Sequence, residues 1–364
     1  MARIIYAMAG EGFGHSSRAH LIGQRFLDAG HDVMFVASQR ALRYLRHYYG
    51  HRVKEIFGLS FEYSQGYVDP FETVWKNLTQ ITHANRFNQR LFDQVYRPFK
   101  PDLVITDFEP FTGWWAWRHK VPFISITNEH MLTVCKLQHK LRHILPRLTG
   151  TVVTRWHYIG AQAYVVCNFF KAPLRRSSAV LAPPVVRSIV TTLEPHDAGH
   201  IVIYWTTGTH EARLREVLQR FGDQTFHIYG FNKSAKVGNC IFKERSTDGF
   251  LRDLASARGV IASAGFSLMS ECFYLKKRML LLPLAGHYEQ ILNAAYAERL
   301  GLAAAGKRLD EATLSRFLEG LHEPLPHDDR ILWPDNERFF EILQGVLSRL
   351  AHPVNISPAP KSPV

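Results

Sequence analysis

The chain has 364 residues, 46% hydrophobic and 21% charged, with a formal charge of +12 and a pI near 9.6. That length points to two domains, and the composition excludes global disorder, collagen and coiled coil. No run approaches the roughly 18–20 apolar residues that span a bilayer, and MARIIYAMAG meets Glu11 and His15 too soon to read as a signal peptide.

Residues 3–8 (RIIYAM) read as a strand, and residues 17–29 carry apolar positions at helical spacing. Residues 33–37, 102–106, 123–126 and 163–166 continue a series of short apolar runs separated by helical patterns. Strands alternating with helices imply right-handed βαβ units and a mostly parallel sheet. Pro183-Pro184 and the sequence Pro195-His196-Asp197-Ala198-Gly199 interrupt the pattern and read as a linker over 186–199. A second series follows at residues 201–205, 225–229, 239–242, 259–262 and 279–282. The expectation is therefore α/β, with an N-terminal domain at 1–185 and a second at 200–335. An amphipathic helix over 336–351 follows Pro334-Asp335, and a Pro-rich tail from 352 reads as disordered.

Residues 1–185 hold 23 Lys+Arg against 12 Asp+Glu, so the first half carries nearly all the positive excess. Such a field favours an anionic partner: a membrane surface, a phosphorylated acceptor or nucleic acid. Cys135, Cys167, Cys240 and Cys272 lack metal-site spacing and read as reduced thiols of a cytoplasmic protein.

The loop Gly10-Glu11-Gly12-Phe13-Gly14-His15 follows the first strand and opens a helix. Glycines there admit close backbone approach, and the helix start offers N–H donors to an anion. A dinucleotide fingerprint would need glycine at His15, and no acid ends the second strand, although Arg40 would suit a 2′-phosphate. His15 sits on the first helical turn, placed for proton transfer near neutral pH.

In the second half, Ser263-Ala264-Gly265-Phe266-Ser267 makes a small-residue turn into a helix that carries Glu271. Helix N–H groups there suit a diphosphate, and the carboxylate suits ribose hydroxyls. The loop Pro283-Leu284-Ala285-Gly286-His287 leads into Tyr288-Glu289-Gln290-Ile291-Leu292-Asn293-Ala294. Glu289, Gln290 and Asn293 share its first turns, and such side chains suit sugar hydroxyls.

This order of motifs, the E-Q-x-x-N-A segment above all, resembles GT-B glycosyltransferases, and most of all glycosyltransferase family 28. The resemblance implies two Rossmann-like domains facing each other across a cleft. It implies an inverting transfer of a sugar from a nucleotide-diphosphate donor, with a bias toward uridine, and no cofactor beyond that substrate. It assigns Gly265, Phe266 and Ser267 to the donor pyrophosphate, Glu271 to the ribose, and Glu289 and Gln290 to sugar hydroxyls, with Asn293 supporting their loop and His287 at its start. The Thr206-Thr207-Gly208-Thr209 turn matches a second donor-phosphate loop, and Phe231 falls where the family holds uracil. Gly12, Phe13, Gly14 and His15 fall on the acceptor side.

Displacement at an anomeric carbon needs one base and a means to stabilise the leaving group. His15 is the expected base. Asp107 and Glu109, at the end of a strand, could orient His15, replace it or bind the acceptor. Asn128, Glu129 and His130 follow the next strand and are expected to line the same edge. Asp107-x-Glu109 resembles a metal-binding D-x-D but sits in the wrong domain for a donor metal, so no metal is expected. Lys136, Lys140, His143 and Arg147 form a basic stripe beside Leu137, Leu141, Ile144 and Leu148, the pattern of an interfacial helix. A lipid-linked acceptor at an anionic membrane surface and a soluble small-molecule acceptor both fit. Competing readings are a UDP-sugar 2-epimerase and a non-catalytic nucleotide-sugar binder. Nucleic acid is not expected as a partner, because aromatics interleaved with Arg and Lys on a sheet face are absent.

Overall fold

The computed structural model describes residues 1–10, 12–58, 63–64, 67–68, 70–139, 143–205, 208–244, 246–350 and 354–356. The chain divides into two compact units: Met1–Glu62, Asp69–Val185 and Asp335–Val364 form unit 1, and Tyr63–Val68 and Val186–Pro334 form unit 2.

Unit 1 begins with β1 (Arg3–Met8), α1 (Gly14–Asp28), β2 (Asp32–Ala37), α2 (Gln39–Tyr49) and β3 (Val53–Glu55). The chain then forms a two-stranded antiparallel ribbon that belongs to unit 2, β4 (Tyr63–Ser64) and β5 (Tyr67–Val68), and returns to unit 1. α3 (Pro70–Leu91) runs through a π-helical turn into α4 (Arg97–Phe99). Then come β6 (Leu103–Asp107), α5 (Pro110–Arg118), β7 (Phe123–Thr127), α6 (Met131–Val134), α7 (Ile144–His157), β8 (Ala163–Cys167) and β9 (Ala179–Ala182). Seven strands lie in the order β3-β2-β1-β6-β7-β8-β9, all parallel. Helices cover both faces of such a sheet, so its strands read as continuous apolar runs. Ile4, Ile5, Val104, Ile105, Ile124 and Val165 have no exposed surface.

Unit 2 repeats the plan with α8 (Ser188–Thr191), β10 (His200–Tyr204), α9 (Glu211–Gln219), β11 (Thr225–Tyr229), β12 (Ala235–Val237) and β13 (Cys240–Phe242). It continues through α10 (Thr247–Ser256), β14 (Ala257–Ala262), α11 (Phe266–Tyr274), β15 (Met279–Leu281), α12 (Tyr288–Arg299), β16 (Ala303–Ala305) and α13 (Glu311–Glu319). The sheet order is β12-β13-β11-β10-β14-β15-β16, with only the β12–β13 pair antiparallel.

α14 (Asn336–Leu347) belongs to unit 1. The Asp335 N–H donates to Pro184 O, and Arg25 pairs with Glu337 at 2.7 Å while lying over the Phe340 ring. Segment 186–199, expected as a linker, is folded into unit 2: it carries α8, and Arg187 anchors it to Glu271. Most of the expected tail lies outside the described residues. Residues 354–356 are packed on unit 1: Val354 is buried, and the Ile356 N–H donates to Gln344 Oε1.

α1 meets β2 at Gly23, where a Cβ would fall 2.3 Å from Phe35, a ring itself stacked on Tyr49 at 4.2 Å. Gly345 in α14 has nothing within 4 Å of the same added atom. Gly23→Ala is therefore expected to lower unfolding free energy by about 1–2 kcal/mol through overpacking. Gly345→Ala is expected to raise it by about 0.5 kcal/mol; urea denaturation of both variants checks the pair.

Candidate functional site

β1, β6 and β7 are adjacent and parallel, so their carboxyl ends share one edge of unit 1. The strand order departs in opposite directions on either side of β1, which makes β1/β6 a topological switch point, where open α/β sheets hold ligands. Within the glycine loop, Gly10 serves packing: a Cβ there would fall 2.2 Å from Ser38 Oγ. Gly12, at φ +76°, has open space around it, and Phe13 before α1 is largely exposed. Gly14 opens α1, and His15 is its second residue.

Asp107 ends β6 with no exposed surface. His15 Nδ1 donates to its Oδ1 at 2.7 Å, and Arg18 binds it through two nitrogens, Nε to Oδ2 and Nη2 to Oδ1, each at 2.7 Å. The carboxylate is acceptor-only, so the proton on the inner side sits on Nδ1, and in the neutral ring the lone pair is on Nε2. Nε2 lies 3.7 Å from Glu129 Oε1, and Thr127 Oγ1 donates to the other Glu129 oxygen. The His15 side chain keeps 18% of its surface exposed, so the ring remains reachable.

Burial alone would pull the His15 pKa down; the charge and hydrogen bond of Asp107, with Glu129 behind, outweigh it and raise the pKa above the usual value. Burial pushes the Asp107 carboxyl up, but Arg18 and then His15 bring it down to about 2. Phe108 takes the left-handed conformation at φ +57°, and its ring stacks on His157 at 4.3 Å and lies 6.1 Å from His15.

The other expected residues of unit 1 are placed differently. Glu109 caps α5: its two oxygens accept from Phe111 N and Thr112 N, and burial raises its pKa. No hydrogen bond or ion pair joins it to His15 among the described residues. Asn128 and His130 are interior rather than edge-lining. Asn128 Nδ2 donates to Cys167 O, and burial pushes His130 down to about 3, against the Tyr158 ring. Glu129, between them, is the member of the trio that meets His15. Arg18 went unread in the sequence, although its i+3 spacing from His15 puts both on one helix face.

In unit 2 the switch point falls between β10 and β14. The turn after β10 is held against Gly230, whose φ is +114° and whose Cβ would fall 2.0 Å from Trp205 O. Gly208 is left-handed there too, and Trp205 Nε1 donates to Thr209 O at 2.8 Å; Thr206 and Thr207 lie outside the described residues. Phe231 follows Gly230 and packs edge-on against Phe242.

α11 begins after Gly265, where an added Cβ would meet nothing within 4 Å. Phe266 is buried and Ser267 half-buried at its first turn. Glu271 is buried and accepts from Arg187 Nε at 2.6 Å and Nη2 at 2.9 Å, so both its oxygens already carry a guanidinium. Gln290 Oε1 accepts from Leu284 N, which ties down the loop that ends at His287, the residue before α12. Asn293 Nδ2 donates to Ala264 O and Glu289 Oε1, each at 3.1 Å. The structure thus brings the α11 start, the 283–287 loop and the α12 start together through protein–protein hydrogen bonds.

A family model described as Glycosyl transferase family 1 matches residues 2–322. An uncharacterized glycosyltransferase of Methanosarcina acetivorans is 25% identical over 333 residues, covering 82% of this chain and 84% of that one. A second, from Methanosarcina mazei, is 25% identical over 324 residues with the same coverage. Among solved structures, the calicheamicin glycosyltransferase CalG4 matches with TM-score 0.61 at 16% identity, covering 88% of this chain and 90% of that one. Acinetobacter baumannii MurG matches with TM-score 0.53 at 14% identity and the same coverage. LpCGTa, solved in complex with UDP, matches with TM-score 0.61 at 14% identity, covering 89% and 91%. The fold is GT-B.

The Arg18–Asp107 pair sets a stability test. Asp107→Asn leaves a buried guanidinium uncompensated and is expected to lower unfolding free energy by about 3 kcal/mol; adding Arg18→Met should restore most of it. Because the Asp107 pKa is depressed, its contribution is full above its ordinary pKa and fades as pH falls toward about 2. His15, whose pKa is raised, contributes below its ordinary pKa, and that share is lost as pH rises through the raised value. Urea melts of the single and double variants across pH check both signs.

Proposed function

This chain belongs to glycosyl transferase family 1, and we propose that it moves a hexosyl group, with inversion, from a UDP-sugar to an acceptor hydroxyl. His15 is the base, and neither a metal nor a cofactor is required. The acceptor hydroxyl proton passes to His15 Nε2, the oxygen bonds to the anomeric carbon, and the nucleoside diphosphate leaves from the opposite face. Asp107 holds the imidazole tautomer and stabilises the imidazolium that forms. The departing diphosphate is met by N–H groups at the start of α11 and by the Ser267 hydroxyl.

One observation carries this reading: a reachable imidazole whose inner nitrogen is bound by a fully buried carboxylate. A nucleotide-sugar binder would share the donor residues but give that imidazole no proton to accept. A UDP-sugar 2-epimerase would have it take the C2 proton and would turn over without an acceptor, so acceptor-dependent product formation separates the two. His15→Ala is expected to lower kcat by about 10²–10⁴-fold with unchanged donor affinity. EDTA in the assay should leave wild-type turnover intact. A base must be neutral, so wild-type kcat/KM should rise through a pKa above the usual histidine value. Glu129→Gln, by removing one carboxylate from His15, should move that limb to lower pH. Intact turnover in His15→Ala would end the assignment.

For the acceptor, α7 favours a lipid-linked molecule taken at an anionic membrane surface, with the protein peripheral. Leu145, Leu148 and Val152 recur at helical spacing on α7 and are 73%, 55% and 66% exposed, with Arg147 and Arg155 on the same helix. The expected basic stripe is shorter than anticipated: Lys136 precedes α7, Leu137 is buried, and Lys140 and Leu141 lie outside the described residues. Pro146 sits in the first turn of α7, where its missing N–H has no intrahelical partner to lose. No helix among the described residues is long and apolar enough to cross a membrane. Sedimentation with phosphatidylglycerol vesicles is expected to retain the wild type and release Leu145→Gln/Leu148→Gln/Val152→Gln. Equal retention of both would remove α7 from the account.

A further inference from the structure

Unit 2 has a second edge that the transfer reaction does not use. β14 and β15 are parallel, so the start of α11 and the 283–287 loop lie at their carboxyl ends, and Arg258 and Lys276–Arg278 lie at their amino ends. A six-residue strand separates these edges by about 20 Å.

At the amino-end edge is a cavity of about 330 Å³, bounded by Arg258, Lys276, Arg278, Trp333 and the proline-rich segment 323–327. That volume is within the range of small-ligand sites. Three basic side chains converge on it, Arg258, Lys276 and Arg278. Arg278 holds the wall in place: Nε donates to Glu323 O at 2.6 Å and Nη2 to Pro324 O at 2.7 Å. Its one carboxylate neighbour among the described residues, Glu323, stands 3.5 Å away with its side chain 73% exposed, and so compensates weakly.

Arg258 and Lys276 have no carboxylate partner among the described residues. Arg258 Nη2 lies 2.8 Å from His322 Nε2. Lys276 sits in the left-handed region at φ +57°, with its ammonium 3.5 Å from the centre of the Trp333 ring. The contrast with the next residue is informative: Lys277 Nζ donates to His196 O and Ala257 O, each at 2.7 Å. Lys277 is satisfied by the protein, whereas the exposed Lys276 lies over an aromatic face and makes no hydrogen bond among the described residues. Like charges gathered in a concave wall repel one another unless an anion enters.

We propose that this cavity binds a phosphate group, free or at the end of a phosphate monoester, through Arg258 and Lys276, with Arg278 completing the field. The site stands on unit 2 alone and does not depend on the proposed transfer. Leu321, Leu325 and Pro326 give its wall an apolar part on which the body of an ester can rest.

The test uses the full chain and Arg258→Gln/Lys276→Gln, with Arg278 kept because it anchors the loop. Inorganic phosphate and phenyl phosphate are each titrated by calorimetry against sodium chloride of matched ionic strength. The wild type is expected to bind saturably, and the double variant about tenfold more weakly or not at all. In phosphate-free buffer the double variant should melt at a higher temperature than the wild type, since relieving repulsion stabilises it. A purely loop-supporting role for these side chains predicts the reverse. Tighter binding of phenyl phosphate identifies the ligand as an ester and tighter binding of phosphate as the free ion; either order supports the site. No saturable binding, or equal binding by the two proteins, would overturn the proposal.

Discussion

A carboxylate with no solvent contact is the constraint on which unit 1 turns. Asp107 cannot be buried charged unless a cation and hydrogen-bond donors meet it, and one turn of α1 supplies the Arg18 guanidinium and the His15 Nδ1–H. The guanidinium is the stronger partner and binds both oxygens in a planar fork. His15 then takes the lone-pair direction left on Oδ1, and its ring is oriented without any contact from an acceptor. The local chain geometry serves the same end, since the left-handed Phe108 lets Asp107 end the strand buried while Glu109, two residues on, turns to cap α5.

Unit 2 is organised differently, because its conspicuous polar side chains are already bonded. Glu271 holds Arg187, Gln290 holds the Leu284 amide, and Asn293 holds Ala264 and Glu289. Such bonds fix three loops against one another before any ligand arrives, which lowers the ordering cost on binding. They also change what each side chain can still offer. An ionised carboxylate has about four lone-pair directions, so Glu271 with two guanidinium bonds retains room for a hydroxyl. Gln290, bonded through its oxygen, still has its NH₂ donors.

Elements buried on both faces were the ones readable from sequence: RIIYAM, DLVIT, IVIYW and MLLL each carry an unbroken run of at least three apolar residues. β3 and β16 escaped because Val53–Glu55 ends in exposed charge and Ala303–Ala305 carries no pattern. The position of His15 was readable from the loop before it, but the pairing with Arg18 needed the helix to be followed one turn further. Glu109 before Pro110 carries a cap signal in the sequence, an acceptor followed by proline at the first helical position. The Arg187–Glu271 pair was beyond reach, because 84 residues separate its members and only the fold brings them together.

The charge distribution shows why a count along the chain is an imperfect guide to the field. Unit 1 holds most of the positive excess, yet Arg18 and Arg25 are inside it, each paired with a carboxylate and so contributing little at a distance. Unit 2, nearly neutral by count, concentrates Arg258, Lys276 and Arg278 around one cavity beside the largely exposed Glu323, while Glu271 is taken up by Arg187, and Asp253 by Lys243, His227 and Tyr229. An anion senses the local arrangement within about a Debye length, some 8 Å at physiological salt, and not the total. A near-neutral domain can therefore hold a local cluster that attracts anions, and a strongly basic one owes its field only to the cations left without partners.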